Sequence, residues 1–280
     1  MTALSSLRIA FIGGGNMARG LIGGLISKGA NAALITVAEP DAAARASLQR
    51  DLKVSVTDDN ISAIATAAVV VLAVKPQLMA QVVRPLAPAL QQQRPLVISV
   101  AAGIPCASFA GWMGADVPLV RCMPNRPALI GAGATGLYAD ATVGASERTL
   151  AGQVLSSVGL AVWVNRESDI DLVTALSGSG PAYFFRLAEL MAEAAIAQGL
   201  GATVARQLAA QTLAGAGQLV ASEQVPDLAR MRAEVTSKGG TTEAALSRFG
   251  ALGLDRIVAE ALQAAAARSH ELAEQFGKQP

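Results

Sequence analysis

The sequence predicts an α/β N-terminal domain that binds a dinucleotide, followed by an all-α C-terminal domain. Three observations support this prediction. A glycine-rich turn follows the first apolar segment, short Val/Ile-rich segments alternate with helical ones in the first half, and strand patterns are missing from the second half. We place the dinucleotide-binding domain at residues 1–165 and a helical domain for substrate binding and oligomerisation at residues 166–280.

The composition excludes several classes of protein. The 280 residues include 22 basic and 21 acidic side chains, so no charge excess favours nucleic acid as a partner. The longest uncharged segment, residues 95–115, is interrupted by Pro105 and three glycines, and the N-terminus does not read as a cleavable leader. We therefore expect a cytoplasmic protein without a membrane span. Cys106 and Cys122 lack metal-binding spacing, so we expect buried thiols and no metal site.

The first apolar segment and the turn after it predict a Rossmann-like nucleotide site. Residues 7–12 are typical of a buried strand, and the sequence G-x-G-x-x-A opens the helix that follows. In this context Gly13 makes the tight turn, Gly15 lets a pyrophosphate approach the backbone, and Ala18 allows close packing of helix and strand. The second predicted strand ends in Glu39, at the position where an acidic residue commonly binds a ribose hydroxyl.

Further strands, joined by helices, extend the predicted sheet. In an open α/β sheet, ligands bind beyond the carboxyl ends of the strands. Four strand ends carry residues suited to this role: Gly13–Met17, Glu39–Asp41, Ala73–Pro76 and Val100–Ala102. The strands are predicted at residues 7–12, 33–38, 67–74, 96–100, 119–123, 134–139 and 161–164, with helices at 77–91 and 146–157.

The second half is predicted to be helical throughout. Small side chains recur along these helices and would allow close helix–helix approach. Because the segment is more apolar than one small domain needs to bury, we expect an interface between copies of the chain. The helices are predicted at residues 170–176, 181–198, 202–221, 226–235, 241–249 and 252–276.

The stretch 235–246 combines hydroxyl groups, two adjacent glycines and the start of a helix. Ser237, Thr241 and Thr242 supply the hydroxyls, and Glu243 suits the positive end of the helix. Free amides at a helix N-terminus, beside glycines that permit close approach, favour a site for a small carboxylate or phosphate. The alternative is a capped helix after a Gly-Gly turn, without a ligand.

Side chains that commonly move protons are scarce. The single histidine, His270, lies in the last predicted helix, and we interpret it as a surface or packing residue. The second half has two lysines, Lys238 and Lys278, and neither matches the helix-borne lysine of a hydroxyacid dehydrogenase. Reduction of an imine fits better, because a protonated C=N bond is already electrophilic and a Thr hydroxyl can hold or relay the proton.

Five motifs together resemble the pyrroline-5-carboxylate reductase family. They occur in the family's order at residues 12–17 (IGGGNM), 73–76 (AVKP), 121–125 (RCMPN), 177–183 (SGSGPAY) and 235–242 (VTSKGGTT). The resemblance implies an oxidoreductase that transfers a hydride from NAD(P)H to L-1-pyrroline-5-carboxylate and forms L-proline, the last step of proline biosynthesis. It also implies an intertwined dimer built by the helical domain, and assembly of dimers into a decamer.

The resemblance also implies roles for individual residues. The catalytic hydroxyl would be that of Thr242, facing the ring nitrogen. The substrate would contact Glu167, Val235, Ser237, Gly240, Thr241 and Thr242. The cofactor, NADPH with NADH as the alternative, would contact Ile12, Gly13, Gly14, Gly15, Asn16, Met17, Glu39, Asn60, Ala73, Val74, Lys75, Pro76, Val100, Ala101 and Ala102.

Two residues depart from the family pattern. Lys238 stands where the family often has proline, so the turn has more freedom. Glu39 stands where many relatives have serine or another residue that tolerates a 2′-phosphate, and a carboxylate there would favour NAD over NADP. Arg45, in the next helix, could compensate, so the sequence leaves the preference between NADPH and NADH open.

Two other interpretations remain. A 3-hydroxyacid-type or 6-phosphogluconate-type dehydrogenase also joins a dinucleotide domain to helices, although the missing helix-borne lysine argues against it. A non-catalytic oligomer that senses dinucleotides would use the stretch 235–246 as a helix cap only.

Overall fold

The computed structural model describes residues 3–277, and the chain forms two compact units. The first unit runs to Ser179 and includes the C-terminal segment from Ala265 onward, and the second unit is Gly180–Ala264. The functional domain assignment to residues 1–165 and 166–280 stays a prediction, and Lys278 lies outside the described residues.

An eight-stranded sheet forms the centre of the first unit, within residues 3–277. The strands are β1 (Ile9–Ile12), β2 (Ile35–Ala38), β3 (Ser55–Thr57), β4 (Val69–Leu72), β5 (Leu96–Ser99), β6 (Leu119–Met123), β7 (Gly133–Ala139) and β8 (Gly159–Trp163). Their order in the sheet is β3-β2-β1-β4-β5-β6-β7-β8. The first six strands are parallel, β7 is antiparallel to β6, and β8 is parallel to β7.

The central strands of the sheet are buried on both faces, as their apolar patterns predict, whereas the edge strands β3 and β8 are partly exposed. Ile9 and Phe11 of β1 belong to one apolar cluster, and the intervening Ala10 and Ile12 belong to the other. Successive side chains of a strand point to opposite faces, so helices must cover each side. These helices are α1 (Asn16–Ser27), α2 (Ala42–Leu52), α3 (Asn60–Ile64), α4 (Met79–Val83), α5 (Ala87–Gln93), α6 (Cys106–Met113), α7 (Ala145–Leu155) and α8 (Asp169–Val173).

Several local elements differ from the sequence prediction. The single helix predicted at residues 77–91 is wrong: 3₁₀ turns at Pro76–Leu78 and Arg84–Leu86 precede α4 and α5. Pro85 and Pro88 explain the interruption, because proline lacks the amide that a continuous helix needs. The sequence analysis also missed β3, whose three residues include Ser55 and Thr57 and give no apolar run.

The second unit is helical, which confirms the predicted class of the C-terminal part. Large apolar side chains on its helices are exposed, among them Phe184 at 59% and Phe185 at 61%. No helix within residues 3–277 is long and apolar enough to cross a membrane. The helices are α9 (Gly180–Ala197), α10 (Ala202–Ala221), α11 (Leu228–Glu234), α12 (Thr241–Ala251) and α13 (Leu254–Gly277), the last of which ends in the first unit.

Candidate functional site

The glycine-rich turn after β1 has the geometry that its sequence predicts. The Gly13 amide donates to the Ala38 carbonyl oxygen over 2.8 Å, and Gly13 has a φ of +97°. A Cβ atom at this residue would lie 2.8 Å from the carbonyl oxygen of Ala73. Only glycine combines this left-handed backbone with so close an approach of a neighbouring strand.

The N-terminus of α1 is open to a ligand. Gly15 precedes this helix with extended backbone angles, and a Cβ atom added to Gly15 would meet no atom within 4 Å. The first amides of an α-helix have no partners within the helix and carry its positive dipole end. The space and the amides therefore fit the pyrophosphate of a dinucleotide.

The neighbouring strand ends meet at this turn. The Ala73 amide donates to the Ile12 carbonyl oxygen (2.8 Å), and the Val100 amide donates to the Leu72 carbonyl oxygen (3.2 Å). The predicted cofactor residues of β1, β2, β4 and β5 thus lie along one edge of the sheet. Among the others, Asn60 begins α3, Lys75 is exposed and Pro76 opens a 3₁₀ turn. Their contacts with a cofactor stay predictions.

A partly buried ion pair involves Arg121, in the middle of β6. Nη1 of Arg121 donates to Oε1 of Glu167 (2.8 Å), and the Cys106 amide donates to the same oxygen (2.7 Å). The Arg121 side chain is 5% exposed and that of Glu167 is 29% exposed. Sequence reasoning assigned Glu167 to the substrate but missed Arg121 as its partner, although the motif RCMPN already contained it.

Burial changes the acidity of the two thiols. The pKa of Cys122 is raised above its ordinary value because the side chain is fully desolvated, while Arg121 opposes the shift. The pKa of Cys106 is raised by desolvation and then by the charge of Glu167. Cys122 is buried as predicted, whereas Cys106 is only partly buried. Among residues 3–277, no group of three or more His, Cys, Asp and Glu side chains could hold a metal ion.

Two of the sequence motifs contact each other in the first unit. Nδ2 of Asn125 donates to the Ser177 carbonyl oxygen (2.9 Å), and its Oδ1 accepts from the Ala134 amide (2.9 Å). A Cβ atom at Gly178 would lie 2.8 Å from the Met123 side chain. Motifs separated by about fifty residues are therefore packed together, which explains why both need small or amide side chains.

The second unit carries the turn before α12. Gly239 has a φ of +72°, and its amide donates to Oε2 of Glu243 over 2.6 Å. The Gly240 amide donates to the Ser237 carbonyl oxygen (3.0 Å), and any Cβ on Gly240 would collide with the Ser237 hydroxyl. The turn is therefore compact, and the positive φ of Gly239 favours glycine at that position.

The predicted substrate residues of this unit are accessible. Thr241 begins α12 and is exposed, and Thr242 in the same turn is partly buried. Val235 follows the last residue of α11 and is 65% exposed, so it is not part of a hydrophobic core. Hydroxyls beside first-turn amides are neutral donors of the kind that an anion site needs. Which ligand they bind stays a prediction.

His270 is distant in sequence from the turn before α12, and the side chains near its ring are those of Asp171 and Glu274. Its Nδ1 lies 3.6 Å from Oδ2 of Asp171, and its Nε2 lies 3.6 Å from Oε1 of Glu274. The side chain is 69% exposed. These contacts agree with the interpretation as a surface residue.

Comparisons with known proteins match the two halves of the chain to different family models. Residues 8–103 match the family model described as NADP oxidoreductase coenzyme F420-dependent, and residues 167–272 match that described as pyrroline-5-carboxylate reductase dimerisation. The pyrroline-5-carboxylate reductase of Pseudomonas aeruginosa is 51% identical, over 98% of this chain and all of the relative. That of Vibrio alginolyticus is 44% identical, over 96% and 98%.

Solved structures show the same fold. A pyrroline-5-carboxylate reductase from Coxiella burnetii, 39% identical, has a TM-score of 0.92 over 96% of this chain and 99% of that one. The Plasmodium falciparum pyrroline carboxylate reductase with NADP bound, 23% identical, has a TM-score of 0.80 over 97% and 100%. Sheet, glycine turn and helical unit define an oxidoreductase of the dinucleotide-binding class. Within that class, the chain belongs to the pyrroline-5-carboxylate reductase family.

Proposed function

We propose that the protein reduces L-1-pyrroline-5-carboxylate to L-proline by hydride transfer from NAD(P)H. The observation that carries this proposal is the open helix N-terminus behind Gly13, in a chain that matches reductase relatives from end to end. The reaction is the last step of proline biosynthesis. A cytoplasmic location remains a prediction.

The residues of the sheet edge would hold the cofactor. The amides at the start of α1 would bind the pyrophosphate, with Gly15 leaving room for it. The residues after β4 and β5, Ala73–Pro76 and Val100–Ala102, would line the rest of the dinucleotide. When bound, the reduced nicotinamide supplies the hydride.

The turn before α12 would hold the substrate. The amides of the first helical turn and the hydroxyls of Ser237 and Thr241 would bind the carboxylate, beside Val235 and Gly240. The Thr242 hydroxyl would hold the proton on the ring nitrogen. A weakly acidic hydroxyl suffices for this task, because the protonated imine already attracts the hydride.

Glu167, in the first unit, is the remaining residue that is predicted to contact the substrate. The hydrogen bonds from Arg121 and from the Cys106 amide end on Oε1, and the side chain is partly exposed. The carboxylate keeps further acceptor positions for a ligand beside these two hydrogen bonds. Arg121 keeps this carboxylate in place.

Self-association of the second unit belongs to the same proposal. The family model that covers residues 167–272 is named for dimerisation. A groove of about 530 Å³ between α9 and α10 is lined by apolar side chains, including Phe184, Leu187 and Met191. A second copy of the chain would cover these residues. Assembly of dimers into a decamer stays a prediction.

The two other interpretations predict different chemistry. A hydroxyacid dehydrogenase needs a lysine or histidine at the reacting oxygen, but Lys238 is exposed and His270 contacts Asp171 and Glu274. A sensing oligomer would bind the dinucleotide without turning it over. A single assay, oxidation of the cofactor with pyrroline-5-carboxylate, distinguishes both from a reductase.

The test is oxidation of NADH and NADPH with pyrroline-5-carboxylate, for the wild type, Thr242→Ala and Thr149→Ala. We expect turnover to fall about a hundredfold in Thr242→Ala, since a group positioned at the proton of the reacting atom typically contributes this much. Thr149 is a matched control, because its hydroxyl bonds only to the Ala145 carbonyl oxygen in α7. If both cofactors bind but neither is oxidised by the wild type, the reductase proposal fails.

A further inference from the structure

The carboxylate of Glu39 is held by two backbone amides at the end of β2. Its Oε2 accepts from the Gly14 amide over 2.9 Å, and its Oε1 accepts from the Asp41 amide over 3.1 Å. The side chain is partly buried, and a Cβ atom at Gly14 would lie 3.3 Å from Oε2. The negative charge therefore has a fixed position beside the glycine-rich turn.

The arginine that could neutralise this charge is engaged elsewhere. Nη1 of Arg45 donates to the carbonyl oxygens of Glu39 (2.7 Å) and Pro40 (2.8 Å), and Nη2 lies 3.6 Å from Oδ2 of Asp58. Its guanidinium thus holds the backbone of the loop, and no hydrogen bond or ion pair joins it to the Glu39 carboxylate within the described residues.

A second arginine on this side is also occupied. Arg19 of α1 donates from Nη2 to the Ala44 carbonyl oxygen (3.2 Å), and its Nη1 lies 3.8 Å from Oδ2 of Asp51. Asp41 adds another carboxylate next to Glu39, where it caps α2 through the Ala44 amide. The end of β2 therefore presents fixed carboxylates, while its arginines point to carbonyl oxygens and to other acidic residues.

We infer that Glu39 is the residue that decides cofactor choice and that this reductase prefers NADH over NADPH. The inference rests on the proposed function only in placing the adenosine ribose at the end of β2. Each oxygen of a carboxylate has two acceptor positions, so Glu39 can bind a ribose hydroxyl while it keeps its amide bonds. A 2′-phosphate at the same place would meet a fixed negative charge.

The size of the effect follows from the charges involved. A phosphate group carries about two negative charges at neutral pH, and a carboxylate a few ångströms away opposes it even with partial solvent screening. We expect a loss of affinity of about tenfold or more for a ligand that differs only by a 2′-phosphate. For Arg45 to neutralise a 2′-phosphate, its guanidinium would have to leave the carbonyl oxygens of Glu39 and Pro40.

The experiment uses adenosine 5′-monophosphate and adenosine 2′,5′-bisphosphate as probes, with NADH and NADPH as the full-length pair. Binding to the full chain is measured by isothermal titration calorimetry, for the wild type and for Glu39→Gln, which keeps the size and removes the charge. We expect the wild type to bind the forms without 2′-phosphate about tenfold or more tightly, and Glu39→Gln to reduce this ratio to about threefold or less. Glu39→Ser is the second variant if the glutamine variant is unfolded.

Arg45→Ala provides an independent arm, with Arg50→Ala as its matched control on the same helix. Arg50 makes an exposed ion pair with Asp51 and lies in the last turn of α2. If Arg45 only holds the loop, both variants leave the affinity ratio between the probes unchanged. A selective loss of bisphosphate binding in Arg45→Ala would overturn the inference.

Two further results would also overturn it. In the first, the wild type binds the bisphosphate at least as tightly as the monophosphate. In the second, Glu39→Gln is folded but leaves the ratio of the two affinities unchanged. Because the probes contain no nicotinamide, this result is separate from that of the reductase assay. Discrimination without turnover would keep the inference and reject the proposed function.

Discussion

Arg121 and Glu167 form an ion pair that joins β6 to the segment before α8, with Nη1 and Oε1 2.8 Å apart. Nε and Nη2 of Arg121 are buried without a hydrogen-bond partner among the described residues. The charge of Glu167 therefore provides most of the electrostatic compensation for the buried Arg121 guanidinium. The Cys106 amide donates a second hydrogen bond to the same carboxylate oxygen.

The first prediction concerns the stability that this pair provides. Glu167→Gln should lower the free energy of unfolding by about 2 kcal/mol, because it leaves a buried guanidinium uncompensated, although partial exposure of Glu167 reduces the loss. Glu189→Gln removes the same charge from an exposed pair with Arg186 and should cost much less, because solvent screens this pair. Urea denaturation of both variants measures the difference, and equal losses would contradict the prediction.

The second prediction separates folding from cofactor binding at Gly15. Gly15→Ala should change the free energy of unfolding by less than about 1 kcal/mol, because its Cβ meets no atom within 4 Å. Dinucleotide affinity should fall about tenfold or more, because the methyl group would occupy the approach of the pyrophosphate.

Gly23→Ala is the matched control for this substitution. Gly23 lies in the same helix, α1, and its added Cβ also meets no atom within 4 Å. This variant should keep the wild-type affinity and gain about 0.5 to 1 kcal/mol in helix stability. Calorimetric titration with NADH measures the affinity of both variants. A loss of affinity shared by Gly15→Ala and Gly23→Ala would contradict the role of Gly15 in pyrophosphate binding.

The third prediction concerns the pH dependence of stability. The pKa of Cys122 is raised in the folded protein by burial, so above its ordinary value of 9.0 the unfolded chain loses this proton and the folded chain keeps it. Stability from this group is therefore complete below pH 9 and decreases as the pH rises further, by about 1.4 kcal/mol per pH unit.

Cys122→Ala tests this dependence. Removing the thiol should make the decline in the free energy of unfolding between pH 9 and 10 shallower, even if the smaller side chain lowers the stability at every pH. Urea denaturation of the reduced protein at several pH values provides the slopes. Identical slopes for the variant and the wild type would show that the thiol does not titrate as its burial implies.

The fourth prediction concerns self-association of the helical unit. Leu187 is 47% exposed and lines the apolar groove between α9 and α10. Leu187→Asp should shift the protein to a smaller species in sedimentation velocity, since a charge in this groove would be costly to bury beneath a second copy. Ile61→Asp, at a comparably exposed position in α3, should leave the oligomer unchanged.

Much of the fold could be predicted because its signals are local. The strand of residues 9–12, the turn at Gly13 and the helix after it follow from contiguous residues, and the structure confirms all three. The helical class of the second half is likewise confirmed. The failures were also local: proline interrupts the helix predicted at residues 77–91, and β3 is too short and polar to give a pattern.

The sequence by itself therefore determined the class of each half, the position of the glycine turn and the family, since each depends on residue type and short spacing. Only the tertiary structure decided which distant side chains meet. Glu167 reaches Arg121 across 46 residues and Cys106 across 61, and Glu39 turns its carboxylate to the Gly14 amide across 25. Such contacts depend on the order of strands in the sheet and on competition for a few buried donors, and local periodicity carries no information about either.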